Sequence, residues 1–175
     1  MKSVNKVVFL TSVISSVLAF NSSISLAEEN NKDYITGYIG YFDVIRNDYT
    51  STQFGIEYRA RPIKYNVRPM VGINVTTDKS VYGYAGLSWD VELIDNQLYL
   101  IPNFAAGLYT KGDGKELGGA IEFRSGIELA YKFPNEHRLG LAFNHISNAS
   151  IYKHNPGSEA ALLTYSVPMD QIIRY

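Results

Sequence analysis

The sequence predicts an all-β protein, a single eight-stranded antiparallel transmembrane β-barrel of the outer-membrane type. Three observations carry that prediction. Segments of roughly ten residues alternate apolar with polar side chains at period two, the spacing of a strand that faces a different medium on each side. Turn-forming residues divide the chain into eight such segments. The polar faces of these segments carry charges of both signs, as the side-chain-filled interior of a small membrane barrel requires.

The segments, in order, are 35–44, 51–62, 66–76, 80–93, 97–109, 117–133, 137–149 and 158–169. The first runs through GYFDV into the turn residues Asn47 and Asp48. The second contributes Glu57 and Arg59 to its polar face, the third Arg68, and the fourth Asp90 and Glu92. The fifth leads to the glycine-containing loop Lys111–Lys115. The sixth shows the alternation best: Ile121, Phe123, Ile127, Leu129, Tyr131 and Phe133 share one face, with Ser125 the exception. Glu122, Arg124, Gly126, Glu128, Ala130 and Lys132 share the other. The seventh places Leu139, Leu141 and Phe143 on its apolar face. The eighth places Ala161, Leu163, Tyr165 and Val167 there. Connections at 94–96 and 134–136 are tight. Those near Asn47, Thr77-Asp78, Lys111–Lys115 and 150–157 are longer, an alternation that suits up-and-down topology.

A soluble lipocalin-like barrel has the same periodicity with the apolar face inside. The interspersed charges favour the opposite arrangement, and so do the 14 tyrosines, read as aromatic girdles at the two membrane interfaces. The chain ends on Tyr175, with Ile173, Met169 and Val167 at even spacing before it. That pattern is either the end of the last strand or a short tail beyond a strand that ends near Met169. Eight strands enclose too narrow a space for a pore, so the inward charges read as structural filling.

Residues 1–27 read as a secretory signal peptide: Lys2 and Lys6, the apolar run 7–20, and Ser25-Leu26-Ala27 before the cut. The barrel domain is then 28–175. The full chain carries a net charge of −1 with no run of Lys or Arg, which argues against a nucleic-acid partner. Cysteine is absent, so disulfides and thiolate metal sites are excluded. Three scattered histidines make no zinc site, and KGDGK lacks the following helix of a phosphate loop. His137 and His154 read as solvated, Asp43 as strand-end structure, and Lys111 and Lys115 as parts of a solvated hairpin loop.

The chemistry concentrates in FNHISNAS at 143–150 and in Glu159. His145 and Ser147, two residues apart on a strand, point to one face. That face is the apolar one, shared with Leu139, Leu141 and Phe143. Glu159 lies in phase with Leu163 and Val167, again on the apolar face. A hairpin tip near Tyr152 and Lys153 brings it beside the other two. With the N-terminus periplasmic, all three fall near the outer end of the barrel, at headgroup level. A base, a nucleophile and an orienting acid are the parts of a hydrolytic triad. Ser147 is then the nucleophile, His145 the base and Glu159 the orienting acid, while the Asn148 amide or neighbouring backbone N–H groups supply the oxyanion donors.

HISNA with the distal Glu159 resembles the PagL-type lipid A 3-O-deacylases of Gram-negative outer membranes. The likeness extends through FGIEYR at 54–59, 107–133 and LLTYSVPM at 162–169, with GYFDV matched less specifically. The resemblance implies an eight-stranded outer-membrane barrel with its active site towards the outer leaflet. It implies lipid A, or lipopolysaccharide, as substrate, surrounding membrane lipids as partners, and no cofactor. Its residue assignments coincide with those above, including an oxyanion role for Asn148. Ser150 departs from the pattern, which carries Gly after Asn-Ala. Oligomeric state, a homodimer included, stays open. So do two other function classes, a non-enzymatic adhesion or structural barrel and a lipid A acyltransferase.

Overall fold

The computed structural model describes residues 31–173. The expected leader, 1–27, and the terminal Tyr175 lie outside the described residues. Nine strand segments follow one another: β1 Tyr34–Phe42, β2 Ser51–Arg59, β3 Val67–Thr76, β4 Val81–Trp89, β5 Val91–Ile94, β6 Leu98–Thr110, β7 Ile121–Lys132, β8 Arg138–Ser147 and β9 Ser158–Pro168. A 3-10 turn, Lys64–Asn66, lies between β2 and β3, and a short helix α1, Met169–Ile172, follows β9.

Every pairing is antiparallel between neighbours. The order β4-β3-β2-β1-β9-β8-β7-β6-β5 closes on itself because β4 also pairs with β6. β4 and β5 hold one register against β6, with Ser88 opposite Asn103 and Val91 opposite Leu100. They are therefore one stave interrupted at Asp90, and the closed barrel has the eight staves expected. The interruption has a local cause. The Asp90 carboxylate is buried and takes both Arg68 Nε at 2.7 Å and Arg138 Nη1 at 2.9 Å, while its N–H turns to the Asn66 carbonyl at 3.1 Å.

The alternation resolves in favour of a lipid-facing apolar wall. Leu141 is 68% exposed, whereas Glu57 on an inward face is 2% exposed. A soluble barrel would invert these values. Inside, Arg59 bridges Glu57 (2.6 Å) and Glu128 (2.7 Å), and Arg124 joins Glu57 at 2.8 Å. Tyr84 and Thr164 donate to the same two carboxylates. This network fills the lumen and supports its reading as structural. Arg124 also stacks over Tyr84, and Arg138 over Tyr34 and Tyr99.

The tyrosines divide between two roles. Tyr41, Tyr49, Tyr65, Tyr131 and Tyr165 face outward as a girdle needs. Tyr34, Tyr38, Tyr82, Tyr84, Tyr99 and Tyr109 are buried in the lumen, where the ring fills space and the hydroxyl joins the polar network.

Strand ends differ from the expectation by a few residues in several places: β2 stops at Arg59 rather than 62, β8 at Ser147 rather than 149, and three others have a visible local cause. β7 starts at Ile121 rather than 117, because 117–120 folds over the barrel mouth with Leu117 fully buried. β1 stops at Phe42, since Asp43 takes a left-handed φ of 61°. β9 ends at Pro168, and α1 follows, so residues up to Ile173 are not a continuing strand. The connections 43–50, 77–80, 111–120 and 148–157 gather at one mouth, the distal one, and the first and last described residues lie at the other.

Candidate active site on the outer wall

Near the distal end of β8 the alternation places Ala142, Asn144 and Ile146 inside and Phe143, His145 and Ser147 outside. On β9, Ser158 and Ala160 point in while Glu159 and Ala161 point out. The ladder sets His145 directly opposite Glu159. Their side chains meet, Nδ1 to Oε1, at 3.0 Å, and are 44% and 20% exposed. An ionised carboxylate can only accept, so Nδ1 is the donor of this contact, and in a neutral ring that leaves the lone pair on Nε2. Ser147 closes β8, half-buried and opposite Phe123 of β7. The structure thus gathers His145, Ser147 and Glu159 on one lipid-facing patch. Among the described residues, His145 and Glu159 are hydrogen-bonded and Ser147 is not bonded to the imidazole.

Beyond Ser147 the chain makes a tight turn, with Ile151 N–H donating to the Asn148 carbonyl at 3.1 Å. Ala149 and Ser150 both sit at left-handed φ, 52° and 63°, the pattern of a type I′ turn. Ser150 therefore occupies a backbone region that glycine enters freely and other residues enter at a cost.

Asn148 requires a correction. Its side chain is fully buried inside the mouth. Nδ2 donates to the Leu117 carbonyl and the His154 carbonyl, each at 2.8 Å. Oδ1 accepts from Ser150 N–H at 3.0 Å, and its own N–H donates to Asn155 Oδ1 at 3.0 Å. Both amide hydrogens are spent on carbonyls, so the side chain organises the turn and does not face Ser147's side of the wall. The reason is parity: Asn148 follows an outward residue and so points in. The Ala149 N–H makes no hydrogen bond among the described residues.

One further expectation is overturned. Lys115 is no part of a solvated loop. Its side chain is 5% exposed and forms an ion pair with Asp43, which is fully buried. Lys111 does stay exposed, 3.4 Å from Glu116. His154 is exposed as expected, while His137 is half-buried and lies between the Tyr165 hydroxyl and Gln171.

Sequence reasoning also passed over Gly157. It adopts φ 61°, and a Cβ there would lie 3.0 Å from His145 Cε1. Glycine thus lets the chain turn close against the imidazole just before Glu159. Its place in Asn-Pro-Gly marks a turn, but nothing local says which ring it meets.

A closed barrel with ion pairs inside and an aliphatic wall outside defines the class, an outer-membrane β-barrel. The model of the family described as "Lipid A 3-O-deacylase (PagL)" matches residues 21–168, and the chain belongs to that family. It is 38% identical over 52 residues to the lipid A deacylase PagL of Bordetella bronchiseptica. That match covers 30% of this chain, and the chain spans 29% of that relative's length. The crystal structure of the outer membrane enzyme PagL is similar in fold, with a TM-score of 0.62 at 16% identity over 77% of this chain and 99% of that one. A de novo designed transmembrane β-barrel is similar too, at 0.57 and 13% identity over 81% and 99%.

Proposed function

We propose that this chain hydrolyses the 3-position acyl ester of lipid A, with Ser147 as nucleophile, His145 as general base and Glu159 as the acid that orients it. The observation that carries the reading is the 3.0 Å contact of His145 Nδ1 with Glu159 on the lipid-facing wall, with Ser147 two residues along the same face. Glu159 holds the proton on Nδ1, so Nε2 is free to take the hydroxyl proton as Ser147 Oγ attacks the ester carbonyl. The imidazolium so formed is stabilised by the carboxylate and returns its proton to the departing sugar oxygen. Water then attacks the acyl-serine by the same route and releases the fatty acid. The contact between hydroxyl and base tightens when substrate binds, as in many resting hydrolases. Oxyanion stabilisation falls to the backbone of the 148–151 turn, with the Ala149 N–H as donor.

Substrate access follows from the wall. Lipid A keeps its acyl chains in hydrocarbon and its ester groups just below the headgroups. A nucleophile on the outer wall at the distal mouth, facing the outer leaflet, meets that ester sideways and with little reorientation. Polar groups at that height cost about 0–1 kcal/mol against lipid, far less than at midplane. The lumen, filled by ion pairs, takes no part.

The test is mass spectrometry of lipid A from Gram-negative cells making this chain or Ser147→Ala. The expected result is loss of one ester-linked acyl chain with release of free fatty acid, abolished in the variant by a factor on the order of 10⁴ or more. Lipid A that gains an acyl chain would indicate transfer, and unchanged lipid A would indicate a structural barrel. Either result overturns the proposal.

A further inference from the structure

The staves that carry the candidate site stop short of the mouth. β8 ends at Ser147, β9 begins at Ser158 and β1 ends at Phe42. Glu159 is thus the second residue of its strand, where ladder hydrogen bonds alone hold a side chain loosely. What lies behind it is a polar cluster inside the barrel. The Ser158 hydroxyl, fully buried, donates to Asp43 Oδ1 at 3.0 Å. Asp43 Oδ2 takes the N–H groups of Tyr49 at 2.9 Å and Asp48 at 3.1 Å. Lys115 reaches in from the β6–β7 connection to pair with Oδ1, and the Lys115 carbonyl accepts from the Tyr109 hydroxyl at 2.7 Å. On the residue after Asp43, the Val44 N–H donates to the Glu159 carbonyl at 3.1 Å.

Glu159 is therefore tied on both sides to one buried anion: through Ser158 by its hydroxyl and through its own carbonyl by Val44. A buried ion pair contributes little net stability compared with apolar filling, because desolvation offsets the attraction. Its value here is geometric. Removing the ammonium leaves an uncompensated buried carboxylate, which must draw in water or turn outwards, and both ties move with it.

We propose that Lys115 and Asp43 form an internal clamp that positions Glu159, and through it the imidazole of His145, from the opposite side of the barrel wall. Neither residue touches lipid or substrate, and both are positioning residues. The inference deepens the proposed function and rests on the His145–Glu159 pair acting there.

The experiment compares the full-length protein in detergent micelles with Lys115→Met, with the double variant Asp43→Asn/Lys115→Met, and with Ser147→Ala. Folding is read from the electrophoretic shift between heated and unheated barrel, turnover from hydrolysis of a micellar ester, and the imidazole tautomer from the His145 ¹⁵N spectrum. Lys115→Met should stay folded, keep KM and lose about tenfold in kcat, since small displacements of an orienting group carry such penalties. The ¹⁵N spectrum should move from a single Nδ1–H tautomer to a mixture. The double variant, with no buried charge left over, should recover most of both. A folded Lys115→Met with the parent's kcat and tautomer overturns the clamp, and so does a kcat loss with an unaltered tautomer. If Lys115→Met does not fold, the double variant decides. Tautomer and kcat close to the parent's support the clamp, and a mixed tautomer in a folded, charge-free mouth overturns it. Activity surviving in Ser147→Ala would sink the proposed function instead, while the tautomer measurement still tests the clamp.

Discussion

Asn148→Ala distinguishes a scaffold from a direct oxyanion donor. The substitution removes three hydrogen bonds, two from Nδ2 at 2.8 Å and one to Oδ1 at 3.0 Å. It leaves the Leu117 and His154 carbonyls and the Ser150 N–H without that partner. At about 1 kcal/mol net for each bond, and somewhat more where the abandoned group stays buried, the loss is about 2–4 kcal/mol. The loss is local, because one of these bonds ties the 148–157 connection to the 111–120 connection, two lie within 148–157, and none joins stave to stave. Amide exchange at Ser150 and Ile151 should therefore quicken by about 30- to 1,000-fold, while the barrel keeps its electrophoretic shift. Turnover should fall together with this loosening, since the turn carries the Ala149 N–H. Removing a donor that touches the oxyanion costs a comparable factor, on the order of 10²–10³ in kcat, so activity alone does not separate the roles. Hydrogen exchange measured by mass spectrometry does. A loss of turnover with unaltered exchange at Ser150 and Ile151 would refute the scaffold assignment and return the Asn148 amide to the oxyanion.

Three other outcomes are expected. Ser150→Gly should raise the stability of the distal turn by up to about 1 kcal/mol, since relief at φ 63° exceeds glycine's extra unfolded-state freedom; slower exchange at Ile151 checks it. Arg59→Met should destabilise the barrel by about 3–5 kcal/mol, because it takes the cation from the buried Glu128 carboxylate and leaves Glu57 with Arg124; a lower temperature of the heat-induced gel shift reports it. The third outcome concerns pH. Burial pushes the Asp43 carboxyl up, but Lys115, the Tyr49 N–H and Ser158 outweigh it and hold it below its usual value of 3.8. A group depressed in the folded state stabilises fully above its unfolded pKa and loses that contribution as pH falls through the folded one. Protection of the Asp48 and Tyr49 amides should thus persist at about pH 5 and fail only below the ordinary carboxylate range, and Asp43→Asn should remove that dependence.

Much of this protein was legible in one dimension because a membrane barrel presents two media to a period-two chain. Parity alone sorts Glu57, Arg59 and Glu128 from Ile56, Tyr58 and Leu129. The same parity put His145, Ser147 and Glu159 on the lipid face and set their height from the segment count. The break at Asp90 left the stave count intact because both pieces keep one register on β6.

What parity does not reach is everything beyond the strand ends. Lys115 and Asp43 are 72 residues apart, and their pairing depends on a loop folding into the mouth, which no local pattern encodes. Asn148 looked like an oxyanion donor from its place after the serine; parity turns it inward, but the Leu117 and His154 carbonyls that take its amide are met only in the folded mouth. Tyrosine is equally at home at an interface or in a polar lumen, so composition could not separate the six buried rings from the girdle. Alternation follows from the pleat of a single strand and is written locally. The closing of the mouth follows from which loops meet once the barrel has shut, and only the tertiary structure decides that.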